Sequence, residues 1–346
     1  MLRLLLARHH GEHVLKIDIE YLGGPEIKAL GLTDAEIIAA VETGLDAAGR
    51  GQTVIEPRMH LKPGAGTEGH FNVLRGYVAP LDYAGVKVVG DFVDNYKQGL
   101  PSEMALLNLF CPRTGIPKAV IDAAGITDMR TGALTAIGAK HLAPNKPKRL
   151  GHIGARGTAY WNVRLLDHLF DFDEIRIHSR RPESRNAFAD RLSTDLGKRV
   201  TATENWQDCL DGADLIVEAS RLPEPTALFE SAWIPKGGLV VPYGTMSALP
   251  LDFTDHFDKF VMDDLGQVMA GPYGSLRPHI NAGKVSVETF HAEIGEIVAG
   301  LKPGRESDDE TILFWHRGLA TSDIALGAFM LEKARDMGLV QSLRYA

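Results

Sequence analysis

A glycine-rich turn near the middle of the chain has the residue types and spacing to hold the phosphates of a dinucleotide. Residues 150–153 predict a strand before it, and the amphipathic residues 159–170 predict a helix after it. Glycines allow close backbone approach to a pyrophosphate, and a helix N-terminus offers unpaired N–H groups and partial positive charge. We therefore expect cofactor contacts from the turn residues Gly154, Ala155, Arg156, Gly157 and Thr158.

The residues after the next strand predict which nicotinamide cofactor is bound. That strand is expected at residues 174–178, and Ser179, Arg180 and Arg181 follow it. A free ribose 2′-hydroxyl is usually met there by Asp or Glu, whereas a hydroxyl and two guanidinium groups suit a 2′-phosphate. The sequence thus favours NADP(H) over NAD(H).

The glycine motif itself is imperfect. Arg156 stands where a second glycine is usual, although its side chain has the length to reach over a phosphate. The alternative interpretation is an ordinary strand-to-helix turn, with Arg156, Arg180 and Arg181 as solvated surface charge.

Alternating strands and helices surround this turn. Because strands separated by helices form parallel sheets, we predict a doubly wound, Rossmann-type α/β sheet. The expected strands are at residues 150–153, 174–178, 214–218, 238–242 and 259–262.

The N-terminal part has a different pattern. A helix is expected after Thr33 or Asp34, ending at the turn of residues 49–51. Strands without intervening helices follow and predict an antiparallel sheet in an α+β unit. The predicted strands are 2–6, 14–19, 53–59, 70–78, 86–91 and 105–110, with a hairpin turn at 113–115. Further helices are expected at 128–142 and 321–337.

Composition limits the classes of partner and compartment. At 346 residues the chain is long enough for two domains, and its net charge of −8 disfavours nucleic acid and anionic membranes as partners. No apolar run is long enough to span a membrane. With only Cys111 and Cys209, a disulfide framework is not expected, which favours the cytoplasm. We expect no metal site.

Four segments together resemble the ornithine cyclodeaminase/mu-crystallin family, over nearly the whole length. They are GVKVVGDFVDN, TDMRTGALTAIGAKHLAP, the GARGTA turn, and EIGEIVAGLKPGRESDDETILFWHRGLATSDIALG. The resemblance implies a homodimer that oxidises or reduces the C–N bond next to a carboxylate with NAD(P)(H). It also implies a substrate-binding and dimerisation domain of residues 1–145 and 305–346, with an NADP-binding domain of residues 146–304.

The resemblance further implies a clamp for the substrate carboxylate. Its members would be Arg58, Lys87 and Arg130, with Lys87 also polarising the imine or carbonyl and relaying a proton. A planar guanidinium suits bidentate carboxylate binding, and a nearby lysine suits proton transfer. The alternative is that Lys87 and Arg130 are ordinary surface charges. Cofactor contacts are implied at Thr131, Gly244 and Gly318.

Two positions depart from the family pattern. Met246 stands where cyclodeaminases carry an aspartate, and a thioether neither carries a proton nor neutralises an ammonium group. We assign Met246 to substrate binding and keep Ser247 as a possible equivalent of the aspartate. His316 stands where relatives more often have serine, and we expect it to supply the missing proton. The alternative is a structural histidine. His70 and Arg75 are further candidates for substrate contact.

These observations favour an NADPH-dependent reductase of an imine or ketimine carboxylate, running reversibly as an amino-acid dehydrogenase on a small imino, amino or 2-oxo acid. A cyclodeaminase acting on ornithine or lysine is a second hypothesis, weakened by Met246. A non-catalytic, crystallin-like NADPH-binding protein is the third.

Overall fold

The computed structural model describes residues 16–64, 66–67 and 69–346. The strand predicted at residues 2–6 lies outside these ranges. In the described part, no helix is both long and apolar enough to cross a membrane.

The first half of the chain forms a mixed sheet flanked by helices. Its elements are β1 (Asp18–Leu22), α1 (Gly24–Ala29), α2 (Asp34–Gly49), β2 (Thr53–Leu61), β3 (His70–Val78), β4 (Tyr83–Asp91), β5 (Glu103–Phe110), β6 (Pro117–Asp122) and α3 (Ala124–Leu142). Strands β2 to β6 pair antiparallel in chain order, as predicted. The strand predicted at residues 14–19 was misplaced, because β1 begins at Asp18.

Helix α2 begins at a side-chain cap and buries one of its faces. The Thr33 side chain accepts the Glu36 N–H, and the Glu36 carboxylate accepts the Thr33 N–H, so Thr33 is the N-cap. Three fully buried residues one turn apart, Ile37, Val41 and Leu45, turn toward the core.

The second half forms the parallel sheet that the alternating pattern predicts. Its elements are β7 (Arg149–Ile153), α4 (Ala159–Phe170), β8 (Glu174–His178), α5 (Pro182–Leu196), β9 (Val200–Ala202), α6 (Trp206–Leu210), β10 (Leu215–Glu218), β11 (Leu239–Pro242), β12 (Lys259–Met262), α7 (Leu265–Met269), α8 (Arg277–Asn281), β13 (Ala292–Glu293), α9 (Ile294–Val298) and β14 (Ile312–Trp315). The strand order is β13-β12-β14-β11-β10-β7-β8-β9, and neighbouring strands are parallel. The fold class predicted from the sequence is therefore confirmed.

The chain then returns to the first sheet through α10 (Ala320–Asp336) and β15 (Gln341–Arg344), which pairs with β1. Helix α10 packs closely on this sheet, since a Cβ at Gly327 would lie 2.4 Å from a methyl carbon of Leu107. The sequence predicted that the chain returns to the first domain at residue 305. Strand β14 lies between β11 and β12 in the parallel sheet, so the chain leaves that sheet only after Trp315. The apolar sequence of β14 suits a strand buried on both faces.

Candidate active site

The predicted phosphate-binding turn connects β7 to α4. Gly154 has φ of +115°, and a Cβ there would lie 2.8 Å from the carbonyl oxygen of Ala219, so only glycine fits without strain. Its N–H donates to the carbonyl of His178 at the end of β8, which fixes the turn to the neighbouring strand. The turn lies at the carboxyl edge of the sheet, where α/β folds bind their ligands.

Three arginines surround this turn and face solvent. Arg156 lies in the turn, and Arg180 and Arg181 follow β8, whose last residue pairs with Ile153. All three are exposed, and none of their guanidinium groups makes a hydrogen bond or ion pair with another residue of the described ranges. Free guanidinium groups beside a glycine turn of this kind fit an anionic ligand such as the phosphate groups of a dinucleotide.

The first sheet and its helices bring Lys87 and Arg130 together around one carboxylate. Lys87, on β4, donates to Asp323 Oδ1 over 2.5 Å, and Arg130, on α3, donates to the same oxygen over 2.8 Å. Lys87 Nζ also donates to Thr127 Oγ1 over 3.1 Å. Both cations are at least 95% buried, which excludes the alternative that they are ordinary surface charges. Burial lowers the pKa of Lys87 to about 7 despite the opposing charge of Asp323.

Arg58, on β2, approaches the same region from the edge of the sheet. Its Nη2 donates to the carbonyls of Arg317 over 2.7 Å and Gly318 over 3.3 Å. The Asp263 carboxylate, at the end of β12, accepts the N–H groups of both these residues and so fixes the turn that holds Arg58. Burial, followed by repulsion from Arg317 and Arg130, lowers the pKa of Arg58 to about 10.

Two guanidinium N–H groups in this cluster lack an acceptor. Arg58 Nε and Arg130 Nη1 are buried, and neither has a hydrogen-bond partner among the described residues. A Cβ at Gly318 would lie only 1.6 Å from Arg130 Nη1, so the missing side chain at Gly318 makes room for the guanidinium. Buried donors without acceptors are costly, so a bound anion such as a carboxylate would stabilise this arrangement.

The structure disfavours His316 as an imidazolium proton donor. This side chain is fully buried, its Nε2 lies 2.9 Å from Thr135 Oγ1, and its ring stacks on Tyr243 with centroids 4.6 Å apart. Burial, with a smaller contribution from the positive charge of Arg130, lowers the pKa of His316 to about 3. The imidazole is therefore neutral near pH 7 and supports the ring of Tyr243.

The loop after β11 carries Gly244 and Met246. Tyr243 precedes them, and its hydroxyl contacts Thr158 Oγ1 at 2.7 Å and the side-chain amide of Asn162, which ties the loop to the phosphate-binding turn and α4. Met246 is half-buried. The buried Ser247 hydroxyl accepts the N–H of Leu249, so it is engaged within its own loop.

The remaining predicted residues differ in placement. Thr131 is buried on α3, and its hydroxyl donates to the carbonyl of Thr127 over 2.7 Å. His70 lies on the same face of the sheet as Lys87, because Leu74 is the cross-strand partner of Lys87 and His70 is four residues from Leu74. Arg75 lies on the opposite face and pairs with Glu56, which disfavours it as a candidate for substrate contact.

Sequence reasoning missed the residues that position the clamp. Asp323 lies in α10 among fully buried residues, and an acid inside an otherwise uncharged helical segment was the signal that was overlooked. Asp263 and Gln267 act through backbone groups, which leave no sequence pattern. The Gln267 side chain accepts the backbone N–H of Arg58 and donates to the backbone carbonyl of Glu56, which joins α7 to β2.

Known proteins are similar to this chain over nearly its whole length. The chain is 31% identical over 315 residues to alanine dehydrogenase of Archaeoglobus fulgidus, covering 90% of this chain and 94% of that protein. The structure of Thermococcus litoralis Δ1-pyrroline-2-carboxylate reductase with NADH and L-proline is 26% identical, with a TM-score of 0.86 over 94% of this chain and all of that one. An archaeal alanine dehydrogenase dimer with bound NAD is 28% identical, with a TM-score of 0.84 over 95% and 100% of the two chains.

The family comparison covers most of the molecule. The model of the ornithine cyclodeaminase/mu-crystallin family matches residues 25–338, which include the parallel sheet, strands β2 to β6 of the first sheet, the clamp and the phosphate-binding turn. The chain therefore belongs to the ornithine cyclodeaminase/mu-crystallin family.

Proposed function

We propose that this protein reduces the C=N bond of an imino acid next to its carboxylate, with NADPH as hydride donor, and that it also runs in reverse as an amino-acid dehydrogenase. The broader class rests on its family and relatives: the chain is an NAD(P)-dependent oxidoreductase acting on CH–NH or CH–NH2 bonds. The observation that carries the proposal is the pair of buried guanidinium N–H groups, on Arg58 and Arg130, that lack an acceptor beside Lys87.

Each clamp residue has a distinct role in this proposal. Arg58 and Arg130 bind the substrate carboxylate through their free N–H groups, while Asp323 keeps Arg130 and Lys87 in place. Lys87 polarises the substrate with its ammonium group, whose pKa of about 7 leaves a large protonated fraction at neutral pH. Met246 contributes an apolar wall. The bound cofactor supplies the hydride.

NADPH preference is supported by three arginines with free side chains at the phosphate-binding turn of residues 154–158, which we also call the cofactor turn. Arg156, Arg180 and Arg181 are exposed and lack acidic partners, and Ser179 completes a set that suits a 2′-phosphate. Kinetics with NADPH and NADH at equal substrate concentration test this preference. A strong preference for NADH would contradict it.

We also propose a homodimer formed through the outer face of the first sheet. Val73, Val88 and Leu106 are cross-strand neighbours on the face opposite Lys87, and Leu106 is 47% exposed. A contiguous apolar strip of this kind is typical of an interface. Light scattering after gel filtration would show a mass near twice 37.7 kDa, and a monomer would overturn this assignment. Cys111 and Cys209 are both unpaired, which supports a cytoplasmic location.

The decisive experiment measures NADPH consumption against cyclic ketimine carboxylates, and against 2-oxo acids supplied with ammonia or methylamine. Turnover would establish the reductase, and the preferred substrate would define the pocket. Tight NADPH binding without product across the panel would favour a non-catalytic role. Formation of proline from ornithine would restore the cyclodeaminase hypothesis, which Met246 disfavours because it cannot bind an ammonium group as a carboxylate does.

A further inference from the structure

Proton exchange at a substrate nitrogen needs a group that is free to gain and lose a proton, and most acids around the clamp are already engaged. Asp323 is fully buried between Lys87 and Arg130. Asp263 accepts the N–H groups of Arg317 and Gly318. Neither carboxylate can change protonation without disturbing the cation or turn that it holds.

Three further acids near the cleft are either fully buried or engaged. Glu218, at the end of β10, is fully buried, so solvent does not reach it; its Oε1 accepts the Ser220 N–H, and its Oε2 has no hydrogen-bond partner among the described residues. Asp91 and Glu103, at adjacent ends of β4 and β5, both bind Arg221, which follows β10. Their contact joins the two halves of the molecule and leaves neither side chain free.

Asp128 differs from these five acids. It lies on α3 directly after Thr127, which binds Lys87, and two residues before Arg130. It is half-buried, and its carboxylate accepts no hydrogen bond and forms no ion pair within the described residues. Asp128 is therefore a carboxylate of this region that is close to the clamp and available to a ligand.

The direction of the helix places Asp128 toward the cofactor side. Residues three and seven positions later, Thr131 and Thr135, share its face of α3. The Thr135 hydroxyl contacts His316, whose ring stacks on Tyr243 in the loop after β11. The charge of Asp128 contributes to raising the pKa of the Tyr243 hydroxyl, as expected if the two groups lie near each other across the cleft.

We propose that Asp128 exchanges the proton with the substrate nitrogen, an inference that rests on the proposed imine reduction. In the reductive direction the Asp128 carboxyl gives its proton to the nitrogen while the substrate carbon accepts the hydride from the cofactor. The C=N π bond breaks, and one C–H and one N–H bond form. In the oxidative direction the Asp128 carboxylate takes the N–H proton of the neutral substrate amine while the C–H bond breaks and its hydride passes to the oxidised cofactor, and the C=N π bond forms.

The surroundings of Asp128 suit this exchange. Burial and the nearby charge of Glu103 raise its pKa to about 6, while Arg130 and Lys87 act in the opposite direction. A carboxylate with a pKa near 6 is ionised enough at neutral pH to act as a base and still returns a proton readily.

The test uses the oxidative direction, with an amino acid and NADP⁺. In the wild type, kcat rises with pH through about 6 as Asp128 ionises. Asp128→Asn should lower kcat by about 10²- to 10³-fold and abolish this limb of the profile. Asp128→Glu should restore part of the rate and keep a limb, whereas a role in folding alone would not restore it.

Glu103→Gln is the matched variant, because it removes a neighbouring negative charge without touching Asp128. In this variant the rise of kcat with pH should occur at lower pH, because Glu103 raises the pKa of Asp128, and kcat at the plateau should be retained. NADPH binding, followed by fluorescence, and thermal melting show whether each variant is folded. A folded Asp128→Asn enzyme with wild-type kcat and pH profile overturns the inference and leaves the reductase intact. A wild type without imine or amino-acid turnover overturns the proposed function itself.

Discussion

The protein contains two groups of cationic side chains that differ in how they are held. Arg58, Lys87 and Arg130 lie at the join of the two sheets, where Asp323 and the carbonyls of residues 317–318 hold them. The other group, Arg156, Arg180 and Arg181, lies at the cofactor turn, is exposed, and has no polar partner within the described residues.

Because of this difference, we expect the buried cations to position a ligand and the exposed arginines to contribute mainly to ligand affinity. The buried cations are held by the protein itself, so under the proposed function a substrate finds its binding groups in place, and changes there should disturb both catalysis and folding. The charges of the exposed arginines are screened by water and salt, and whether these side chains are ordered depends on a bound ligand. Changes at the cofactor turn should therefore alter cofactor choice and leave the folded state almost unaffected.

The largest effect is expected for Lys87→Met, which keeps the aliphatic length of the side chain and removes its charge. Turnover should fall by about 10³-fold, because general acid–base and polarising groups contribute about 10²- to 10⁴-fold. Steady-state kinetics with NADPH and the best imino acid measure this. Lys87→Arg keeps the charge in a different geometry and serves as the control. A methionine variant with near-wild-type kcat would show that Lys87 holds the structure and has no part in the chemistry.

Asp323→Asn should have the next largest effect, now on stability. The change leaves Lys87 and Arg130, both at least 95% buried, without their counter-charge. Breaking one partner of a buried pair typically lowers the free energy of unfolding by about 3–5 kcal/mol. Urea denaturation of the protein without ligand measures this loss.

The control for this prediction is an ion pair at the surface. Asp82 binds Arg113 through both carboxylate oxygens, but the two side chains are 45% and 72% exposed. Asp82→Asn should therefore change the free energy of unfolding by less than about 1 kcal/mol. Equal losses in the two variants would contradict the distinction between the buried and the exposed groups.

The sequence alone predicted more of the cofactor turn than of the clamp environment. The strand, the turn and the helix around Gly154 are consecutive in the chain, so their pattern is local, and α4 was found at its exact bounds. Asp323 meets Lys87 across 236 positions, and no local pattern indicates such a contact. Resemblance to a family supplied Arg58, Lys87 and Arg130, whereas the carboxylate that holds two of them required the structure.

The structure disfavours two predicted residues at the cleft for related physical reasons. His316 was predicted to donate a proton because a free imidazole has a pKa near neutral pH. Burial against Tyr243 and Thr135 lowers that pKa and removes the charged form. Arg75 was a candidate for substrate contact because it lies on the strand before Lys87, but successive strand residues point to opposite faces, and Arg75 is next to Leu74, the cross-strand partner of Lys87. Residue type predicts the available chemistry, and burial and direction decide whether it is used.

Replacing Arg180 and Arg181 together by alanine should have a smaller effect, confined to the cofactor. The KM for NADPH should rise by about 10- to 100-fold, since a hydrogen bond to a charged group contributes about 1.5–3 kcal/mol, while the KM for NADH should stay nearly constant. Arg199→Ala removes an exposed arginine directly before β9 and is the control. Equal increases for the two cofactors would place these arginines away from the 2′-phosphate.

Ionic strength should produce the smallest effect and test the comparison without any substitution. Raising the salt concentration from about 0.05 M to 0.5 M shortens the Debye length to a few ångströms, which screens exposed charges strongly and buried ones weakly. The KM for NADPH should therefore rise several-fold, because Arg156, Arg180 and Arg181 are exposed, whereas the KM for the imino acid should change less. Parallel titrations of the two ligands measure the ratio. If the imino acid responds as strongly as NADPH, its carboxylate binds at a solvated site and the clamp around Asp323 is not where the substrate is held.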